Sequence, residues 1–465
     1  MKKLVMWILT LLISISMITV FALAGCKAPA VEEEAVEEEA VEEEVVEEEA
    51  VEEEVVEEEE VMEEVTINFW NAATTAEWSL VYETFIGRFM EKYPYITVNS
   101  VSTETEVYVQ EKLPLGLSSS SPPDVFYQWA GKTNLEFIDE GLYLDVDEAM
   151  REVMDQMAPG VFDQFTFYDK IWGAANSVKS KATMYNVDIF NQYGLEPPAT
   201  LDEYREVNRT LLDNGVIPIA FGIKEFNYGW QFWDRVVAVV AGMDKIEEML
   251  SGPGKFGSPE QVETLRVMRE FAQEGWLGDA LSYSNPESQT LFFNGEAAMY
   301  GIGTWNIGPF LEVLGEAPDF KLFEYGLFPF PGPEASDTGK NIGTGGLAAS
   351  SATEHPEAVK LFMQYWLSYE NAMYFIETNY EPISSNVQAL ADSQDKLDYI
   401  TILFGEILAR DDLTPTTSAW GDWLCGAYYG QFLEDLQLIM FADDMTAEKG
   451  AQLLQDGYDE CLAAK

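Results

Sequence analysis

Several tryptophans stand beside amide or carboxylate side chains where predicted strands end. These candidates are Trp70, Asn71, Asp124, Gln128, Trp129, Trp305 and Asn306. An aromatic ring covers the C–H face of a polyhydroxylated ligand such as a sugar, while amides and ionised carboxylates bond its hydroxyls. Gly346 would let the backbone approach such a ligand closely. The pattern favours binding of a small polar ligand, although Asp124 could instead brace its own loop.

Residues for other kinds of chemistry are scarce. The chain has one histidine, His355, in a stretch that predicts a helix start, so a His-based triad or zinc site is improbable. Residues 252–257 match G-x-G-x-x-G, a motif that indicates a dinucleotide site only between a strand and a helix. Here the motif follows a helical pattern and contains Pro253, so it does not indicate such a site. We therefore expect no catalytic residue, no metal and no cofactor. A pair of carboxylates could still support glycosidase chemistry, which keeps an enzyme as the alternative.

The N-terminus reads as a lipoprotein signal peptide over residues 1–25. Lys2 and Lys3 precede an apolar run over residues 4–20, and Leu23-Ala24-Gly25-Cys26 follows. Small residues before a cysteine predict cleavage there and lipidation of Cys26. A membrane-spanning helix with an incidental cysteine is the other interpretation. The expected location is outside the cytoplasmic membrane, held by lipid at the cell surface or in the periplasm.

Residues 26–64 predict a disordered spacer after the lipidated cysteine. Its unit, Val-Glu-Glu-Glu-x, repeats every five residues, a period that builds no apolar face on a helix or a strand. Neighbouring glutamates repel each other, and little apolar surface offsets the entropy of ordering. Cation binding by this acidic segment is the functional alternative.

The remainder of the chain is strongly acidic. The formal net charge is −56, and setting aside Lys2, Lys3, Lys27 and the 21 glutamates of the spacer leaves −38. Such a charge argues against nucleic acid and anionic membrane surfaces as partners. About 400 residues exceed what one core usually supports, so two lobes are expected. Cys425 and Cys461 could form a disulfide or remain two buried thiols.

Strand and helix patterns alternate along residues 65–465. Strands are predicted at residues 65–70, 94–101, 124–128, 217–222, 296–303, 323–328 and 345–349. Helices are predicted at residues 76–93, 107–117, 133–140, 201–214, 230–241 and 259–274, and residues 356–462 read as mostly helical. This alternation indicates an α/β fold with largely parallel strands.

An ordered series of short segments resembles the extracellular solute-binding proteins of the maltose-binding type. The segments are Pro123-Asp124-Val-Phe, Tyr168-Asp-Lys-Ile-Trp-Gly173, Ala182-Thr-Met-Tyr-Asn186, Pro198-Ala-Thr-Leu-Asp-Glu203, Phe293-Asn-Gly-Glu-Ala-Ala-Met299, Gly303-Thr-Trp305, Pro329-Phe-Pro331, His355-Pro-Glu-Ala-Val-Lys-Leu-Phe362 and Thr446-Ala-Glu-Lys-Gly-Ala-Gln452. The series covers essentially all of residues 65–465. The sequence departs from the family pattern at Leu201 and at Asn379-Tyr-Glu-Pro382-Ile.

The resemblance implies a two-lobe periplasmic-binding-protein-like α/β fold with several inter-lobe crossovers and a ligand cleft between the lobes. It assigns residues 65–177 and 302–366 to lobe one, and residues 178–301 and 367–465 to lobe two. It also adds Trp230, Trp233 and Trp420 as candidate stacking residues, because the family often places aromatic side chains at these points.

The function that the resemblance implies is substrate capture for an ABC importer. We expect a monomer that binds a neutral sugar or oligosaccharide, closes its lobes around it and delivers it to the transmembrane subunits of a permease. A lipid-anchored enzyme acting on extracellular glycans is the alternative, and a surface adhesin or scaffold is a third hypothesis.

Overall fold

A computed structural model describes residues 63–131, 133–224, 229–242, 246, 255–316, 323–417 and 428–463. The predicted signal peptide, Cys26, residues 27–62 of the spacer, Trp420 and Cys425 lie outside this part of the chain. Within it, no helix combines the length and apolar character needed to cross a membrane. Cys461 is disulfide-bonded, which agrees with one of the two cysteine hypotheses.

Helices account for most of the described residues. The α-helices are α1 (Ala76–Lys92), α2 (Thr105–Val107), α3 (Leu113–Leu117), α4 (Thr133–Asp139), α5 (Asp147–Val153), α6 (Val187–Tyr193), α7 (Leu201–Asp213), α8 (Gly229–Val240), α9 (Pro259–Gln273), α10 (Asn285–Phe293), α11 (Ile307–Glu316), α12 (Pro356–Trp366), α13 (Tyr369–Thr378), α14 (Val387–Asp392), α15 (Tyr399–Leu408), α16 (Tyr429–Phe441) and α17 (Ala447–Ala463). A π-helical segment, Tyr108–Lys112, joins α2 to α3, so the helix predicted over residues 107–117 is irregular.

Short 3₁₀ turns complete the helical content of the described residues. They span Met154–Gln156, Asp163–Phe165, Lys255–Gly257, Thr304–Asn306 and Ala335–Asp337. Side-chain caps fix several starts of the longer helices. At α7 the Thr200 hydroxyl accepts from the backbone N–H of Glu203, whose carboxylate in turn accepts from the backbone N–H of Thr200.

The larger sheet has six strands. They are β1 (Val65–Asn71), β2 (Ile96–Ser102), β3 (Val125–Trp129), β6 (Ala174–Lys179), β11 (Gly339–Ala349) and β12 (Thr414–Thr417), and the short β4 (Thr166–Phe167) and β5 (Lys170–Ile171) form a separate hairpin. β1 pairs in parallel with β2 and β3, whereas β11 runs antiparallel to β3 and β6. Helices α1 and α12 cover this sheet, whose core contains Phe69, Phe85 and Trp366.

The smaller sheet has four strands in the order β10-β7-β9-β8. They are β7 (Lys181–Asn186), β8 (Ile217–Ala220), β9 (Ala297–Gly303) and β10 (Tyr325–Phe328). Both of its faces are buried, one against a cluster around Trp233 and the other against a cluster around Phe310. The described chain therefore forms two α/β layers, each with its own core, as the strand–helix alternation predicted.

Ser180 is the point where the chain passes directly from one sheet to the other. β6 ends at Lys179 in the six-stranded sheet, and β7 begins at Lys181 in the four-stranded sheet. Thr304, just after β9, lies beside this crossover. Its backbone N–H donates to the Ser180 carbonyl at 3.0 Å, and the Ser180 N–H donates to the Thr304 hydroxyl at 3.3 Å. The end of β9 is thus hydrogen-bonded to the crossover in both directions.

The distribution of the strands differs from the predicted lobe limits in two places. β10 pairs with β7, and Phe310 packs with residues of the four-stranded sheet, although residues 302–366 were assigned to lobe one. Phe375 packs in the core of the six-stranded sheet, although residues 367–465 were assigned to lobe two. The physical reason is that the chain returns to the larger sheet at β11 rather than at residue 302.

Candidate functional site

A cavity of about 500 Å³ opens between the two sheets, within the size range of small-molecule sites. The residues that line it come from both sides: Ala72, Ala73, Thr74, Thr75, Trp78, Tyr82, Glu104, Thr105, Val109, Tyr127, Trp129, Ala130, Thr133, Gln164, Lys179, Asn341, Gly343, Thr344 and Glu381 on the six-stranded side, and Lys181, Trp230, Gln231, Trp305, Asn306 and Pro309 on the four-stranded side. We call these sets the first wall and the second wall.

The aromatic surface of the first wall comes from α1 and β3. Trp78 and Tyr82 lie four residues apart on one face of α1, and the Thr75 hydroxyl caps this helix by accepting from the Trp78 N–H at 3.3 Å. Tyr127 and Trp129 lie two residues apart in β3, so both side chains point to the same face of the sheet. Their ring centroids are 5.1 Å apart at an interplanar angle of 88°.

A charged group stands among these rings. Lys179 Nζ donates to the Tyr127 hydroxyl at 2.7 Å and lies 3.2 Å from Glu381 Oε1. The Ser177 hydroxyl donates to the other carboxylate oxygen, Oε2, at 2.6 Å. Burial by itself would lower the pKa of Lys179, but the Glu381 carboxylate and the Tyr127 hydroxyl outweigh it and raise that pKa. The lysine is therefore charged at neutral pH.

The second wall repeats this construction with different side chains. Lys181 Nζ pairs with Asp234 of α8 and lies 4.9 Å from the centroid of the Trp230 ring. The two ionic side chains are 4% and 0% exposed, so water hardly solvates this pair. Burial lowers the pKa of Lys181, and the Asp234 carboxylate opposes that effect only partly.

Trp305 and Asn306 complete the second wall at the end of β9. They lie in a 3₁₀ turn that continues directly into α11. A Cβ atom on Gly303 would stand 2.4 Å from the Trp305 ring, so only glycine allows the indole to lie flat against the strand. The ring is thereby held at the edge of the cavity.

Four of the sequence-predicted site residues meet at this cavity, namely Trp129, Trp230, Trp305 and Asn306. They come from β3, α8 and the turn after β9, which are separated by up to about 180 residues of sequence. The structure therefore brings together aromatic side chains of both sheets around one space, as the proposed ligand site requires.

Two predicted residues instead support the loop after β1. Asn71 is buried, and its Oδ1 accepts from the Ala73 N–H at 3.0 Å and from the Ser102 hydroxyl at 2.8 Å. These bonds shape the segment 72–75 that lines the first wall. Trp70 packs against Gly116 on the opposite side of the strand, with Lys112 Nζ 4.7 Å from its ring centroid.

Asp124 and Gln128 do not line the cavity either. Asp124 precedes β3 at the end remote from Trp129, and its carboxylate accepts from the Asn68 N–H at 2.7 Å and the Thr353 hydroxyl at 2.6 Å. It braces its loop, the alternative that the sequence left open. Gln128 alternates with its cavity-lining neighbours, so its amide faces the other side and donates to the Tyr143 hydroxyl at 3.2 Å.

Trp233 and Gly346 have structural surroundings. Trp233 is completely buried in the core behind the second wall, with its ring 5.5 Å from that of Phe432. A Cβ atom on Gly346 would stand 1.8 Å from the Ala174 carbonyl oxygen, so this glycine permits the close approach of β6 and not that of a ligand.

Sequence reasoning missed Trp78, Tyr82, Tyr127, Lys179, Lys181 and Glu381. A signal for some of them existed, because Tyr127 and Trp129, and likewise Lys179 and Lys181, are spaced by two residues as on one face of a strand. The position of Glu381 could not be read in this way, since the residue lies on a loop 202 positions beyond its lysine partner.

Comparison with known proteins identifies a family whose sequence pattern this chain matches. The family described as "Bacterial extracellular solute-binding protein" matches residues 72–373. An uncharacterized ABC transporter extracellular-binding protein of Pyrococcus horikoshii is 26% identical over 340 residues, which cover 70% of this chain and 71% of that protein.

Solved structures of low sequence identity share the fold. A chitin oligosaccharide binding protein has a TM-score of 0.74 at 19% identity, with 86% of this chain and 99% of that chain covered. The solute-binding protein RafE in complex with raffinose has a TM-score of 0.67 at 17% identity, with 85% and 99% covered. These likenesses confirm the two-lobe α/β fold. Because the family match extends over well over half of the sequence, the chain belongs to the bacterial extracellular solute-binding proteins.

Proposed function

We propose that this protein is the substrate-binding component of an ABC importer and captures a neutral sugar or oligosaccharide between its lobes. The observation that carries the proposal is the cavity itself, whose two walls each combine tryptophan rings with hydrogen-bonding groups. Rings suit the C–H faces of a sugar, and the surrounding amides, hydroxyls and charged groups suit its hydroxyls. The ABC transporter name of the Pyrococcus horikoshii relative and the sugars named for the solved neighbours support this choice.

The charges within the cavity favour a neutral ligand. Lys179 is paired with Glu381, and Lys181 is paired with Asp234, so neither lysine needs an anionic ligand for its neutralisation. A sugar hydroxyl can accept from an ammonium or donate to a carboxylate without bringing a further charge out of water. The strongly acidic body of the protein disfavours polyanionic ligands in addition.

Closure of the lobes follows from a ligand that contacts both walls. A sugar held by one wall alone would remain half solvated, whereas the closed form covers it from two sides. Its higher affinity for the closed form shifts the population in that direction. The crossover at Ser180, which joins the two sheets and is hydrogen-bonded to Thr304, is where such a rotation would be accommodated. The closed surface is then what the transmembrane subunits of the permease recognise.

A ligand panel tests the proposal. Thermal unfolding and calorimetry of the purified protein are measured with neutral mono- and oligosaccharides, amino acids, peptides and sugar phosphates. We expect a neutral sugar to raise the midpoint of unfolding, because it binds only the folded state. Chromatography of the incubated sugar should reveal no product. Binding confined to peptides or phosphates would refute the ligand class, and turnover of a sugar would favour the enzymatic alternative.

The anchor is proposed separately, from the Leu23-Ala24-Gly25-Cys26 sequence. We expect the protein to lie outside the cytoplasmic membrane, attached by lipid on Cys26 and a spacer, and to act as a monomer. Cys26→Ala should release the protein from the membrane fraction or stall its processing. A variant that stays membrane-bound and normally processed would show that the lipid anchor is not formed there.

A further inference from the structure

Tyr82 of α1 is part of the first wall, and its ring is held firmly. The residue is 6% exposed and lines the cavity. Its ring stacks on Phe69 with 5.9 Å between the centroids, and it meets Trp366 and Trp78 edge-on at 4.9 Å and 6.0 Å. These three aromatic neighbours fix the ring, so the hydroxyl at its tip also has a fixed position.

The hydroxyl of Tyr82 differs from those of other buried tyrosines around the six-stranded sheet. Tyr108 donates to the Tyr127 carbonyl at 2.7 Å, and Tyr143 donates to Asn134 Oδ1 at 2.8 Å. Among the residues that the structure describes, no hydrogen bond engages the Tyr82 hydroxyl. The packing of the ring does not need this oxygen, and a polar group at a cavity wall takes its partner from water or from a ligand.

The Tyr82 hydroxyl keeps its proton at neutral pH. Burial raises the pKa of Tyr82 well above its usual range, and the nearby Tyr127 and Glu381 raise that pKa further. A protonated phenol can donate one hydrogen bond and accept others. Because Glu381 is the carboxylate that pairs with Lys179, the Tyr82 hydroxyl lies in the field of the charged group of the first wall.

Gly343 of β11 adjoins the same charged group. It is the register partner of Lys179 across β11 and β6, so both residues face the same side of the sheet. Gly345, two residues further along β11, faces that side as well. A Cβ atom on Gly345 would stand 2.3 Å from the Tyr127 hydroxyl and 3.3 Å from Lys179 Nζ. The face of β11 that carries Gly343 is therefore the cavity face.

No contact among the described residues requires glycine at position 343. Its φ is not in the left-handed region, and a Cβ atom there would meet the Lys179 Cβ at 3.8 Å, an ordinary van der Waals distance. The residue is nevertheless half-buried and lines the cavity. Since glycine inside a strand costs more conformational entropy than alanine, the space left above the strand is what accounts for the missing side chain.

We propose that Tyr82 and Gly343 determine the specificity of the cavity for its ligand. The Tyr82 hydroxyl bonds one hydroxyl of the sugar, and the bare strand at Gly343 lets the sugar ring lie in contact with β11 beside Lys179. This assignment rests on the proposed sugar-binding function and adds which part of the ligand is recognised. The ligand is a sugar with a free hydroxyl opposite Tyr82, because a sugar without it leaves the phenol unpaired.

Calorimetry with two variants measures these contributions. Glucose, galactose, xylose, maltose, cellobiose and raffinose are compared to find the sugar that the parent binds most tightly. Tyr82→Phe removes only the phenol oxygen and should raise the Kd about 3- to 10-fold. Gly343→Ala adds a methyl group where the sugar ring lies and should raise the Kd about 5- to 150-fold, as overpacking does in a filled site.

Thermal unfolding without sugar separates ligand recognition from a structural role. Tyr82→Phe and Gly343→Ala should keep or exceed the Tm of the parent, since neither removes a hydrogen bond of the ligand-free protein. Tyr428→Phe is the matched control outside the cavity lining, because its buried hydroxyl donates to Asp435 at 2.8 Å. It should lower the Tm and leave the Kd unchanged. Gly405→Ala in α15, where a Cβ atom meets nothing within 4 Å, should also leave the Kd unchanged.

Monodeoxy forms of the tightest-binding sugar test the hydrogen bond itself. One of them should bind the parent more weakly by the factor that Tyr82→Phe costs, and it should bind the parent and Tyr82→Phe equally. Parent-like affinity in both Tyr82→Phe and Gly343→Ala would overturn the assignment while the sugar-binding function stands. A fall of Tm in Tyr82→Phe as large as in Tyr428→Phe would likewise overturn it. Failure of the parent to bind any of the sugars would refute the function itself, and the assignment with it.

Discussion

The two walls of the cavity are built on the same plan but differ in how deeply their charges lie. Each wall places a lysine beside an aromatic ring and pairs it with a carboxylate, and the two lysines are separated only by Ser180. The Lys179 side chain is 13% exposed, whereas that of Lys181 is 4% exposed. The crossover thus carries one accessible charged group into the first wall and one sealed charged group into the second.

The difference in partners explains the opposite pKa directions. Both lysines are penalised by burial, but Lys179 has a carboxylate and a phenol hydroxyl as partners and its pKa rises. Lys181 has the nearby Arg235 as an additional repulsive charge, and its pKa falls despite Asp234. We infer that the first wall can use its charged group to contact a ligand, while the charged group of the second wall mainly supports the Trp230 ring.

Removal of Asp234 should produce the largest effect on stability. In Asp234→Asn, the buried Lys181 ammonium would lose the carboxylate with which it pairs. We expect the free energy of unfolding to fall by about 3–5 kcal/mol. Urea unfolding followed by far-UV circular dichroism measures this change. The surface pair Lys396–Glu377 provides a control, because Glu377→Gln at an exposed site should cost less than about 1 kcal/mol. An equal loss of unfolding free energy in Asp234→Asn and Glu377→Gln would contradict the conclusion that the Lys181–Asp234 pair is buried.

Removal of Glu381 should cost less than removal of Asp234. In Glu381→Gln, Lys179 keeps its bond to the Tyr127 hydroxyl and some contact with solvent, and the new amide oxygen can still accept from Ser177. We expect a loss of about 1–3 kcal/mol in the free energy of unfolding, measured in the same urea series. A loss as large as that of Asp234→Asn would mean that both charged groups are sealed to the same degree.

The pH dependence of stability should differ in sign between the two lysines. The raised pKa of Lys179 gives a stabilisation that is complete below its ordinary pKa of 10.5 and is lost as the pH rises through the folded value. For Lys181, whose pKa is lowered, the unfolded chain binds more protons, so stability rises with pH between the folded value and 10.5.

Two variants isolate these contributions. Urea unfolding from about pH 8 to pH 10.5 should show that Lys181→Met loses an upward slope present in the parent, at most about 1.4 kcal/mol per pH unit. Lys179→Met should keep that slope in the same window. If the free energy of unfolding changed with pH equally in both variants and the parent, the proposed electrostatic difference between the two walls would be refuted.

The fold was largely predictable because its signals are local and repeated. The strand at residues 65–70 and the helix at residues 201–214 agree with β1 and α7 within one residue at each end. Alternation and capping residues determine such elements whatever their neighbours are. β11 exceeds its predicted extent, starting at Gly339 instead of Gly345, because pairing with β12 extends it through polar residues without a strand pattern.

The candidate site was predictable only in part, because whether a residue lines the cavity depends on the direction of its side chain. Trp230 and Trp233 are three residues apart on α8, yet one lines the cavity and the other is sealed in the core. Gln128 and Trp129 are adjacent, and strand alternation sends them to opposite faces. The Glu381 contact depends on a loop that follows α13, and no local pattern indicates which lysine that loop will reach.

The most direct test of the central claim is whether one sugar depends on both walls. Calorimetry with the best sugar of the panel is performed on the parent, Trp129→Ala, Trp230→Ala and the double variant, with Trp233→Phe as a core control. We predict that each single variant loses about 1–3 kcal/mol of binding free energy, roughly 5- to 150-fold in affinity, that the double variant loses more than either, and that the control binds like the parent. Parent-like affinity in both Trp129→Ala and Trp230→Ala would show that the sugar does not bind between these walls.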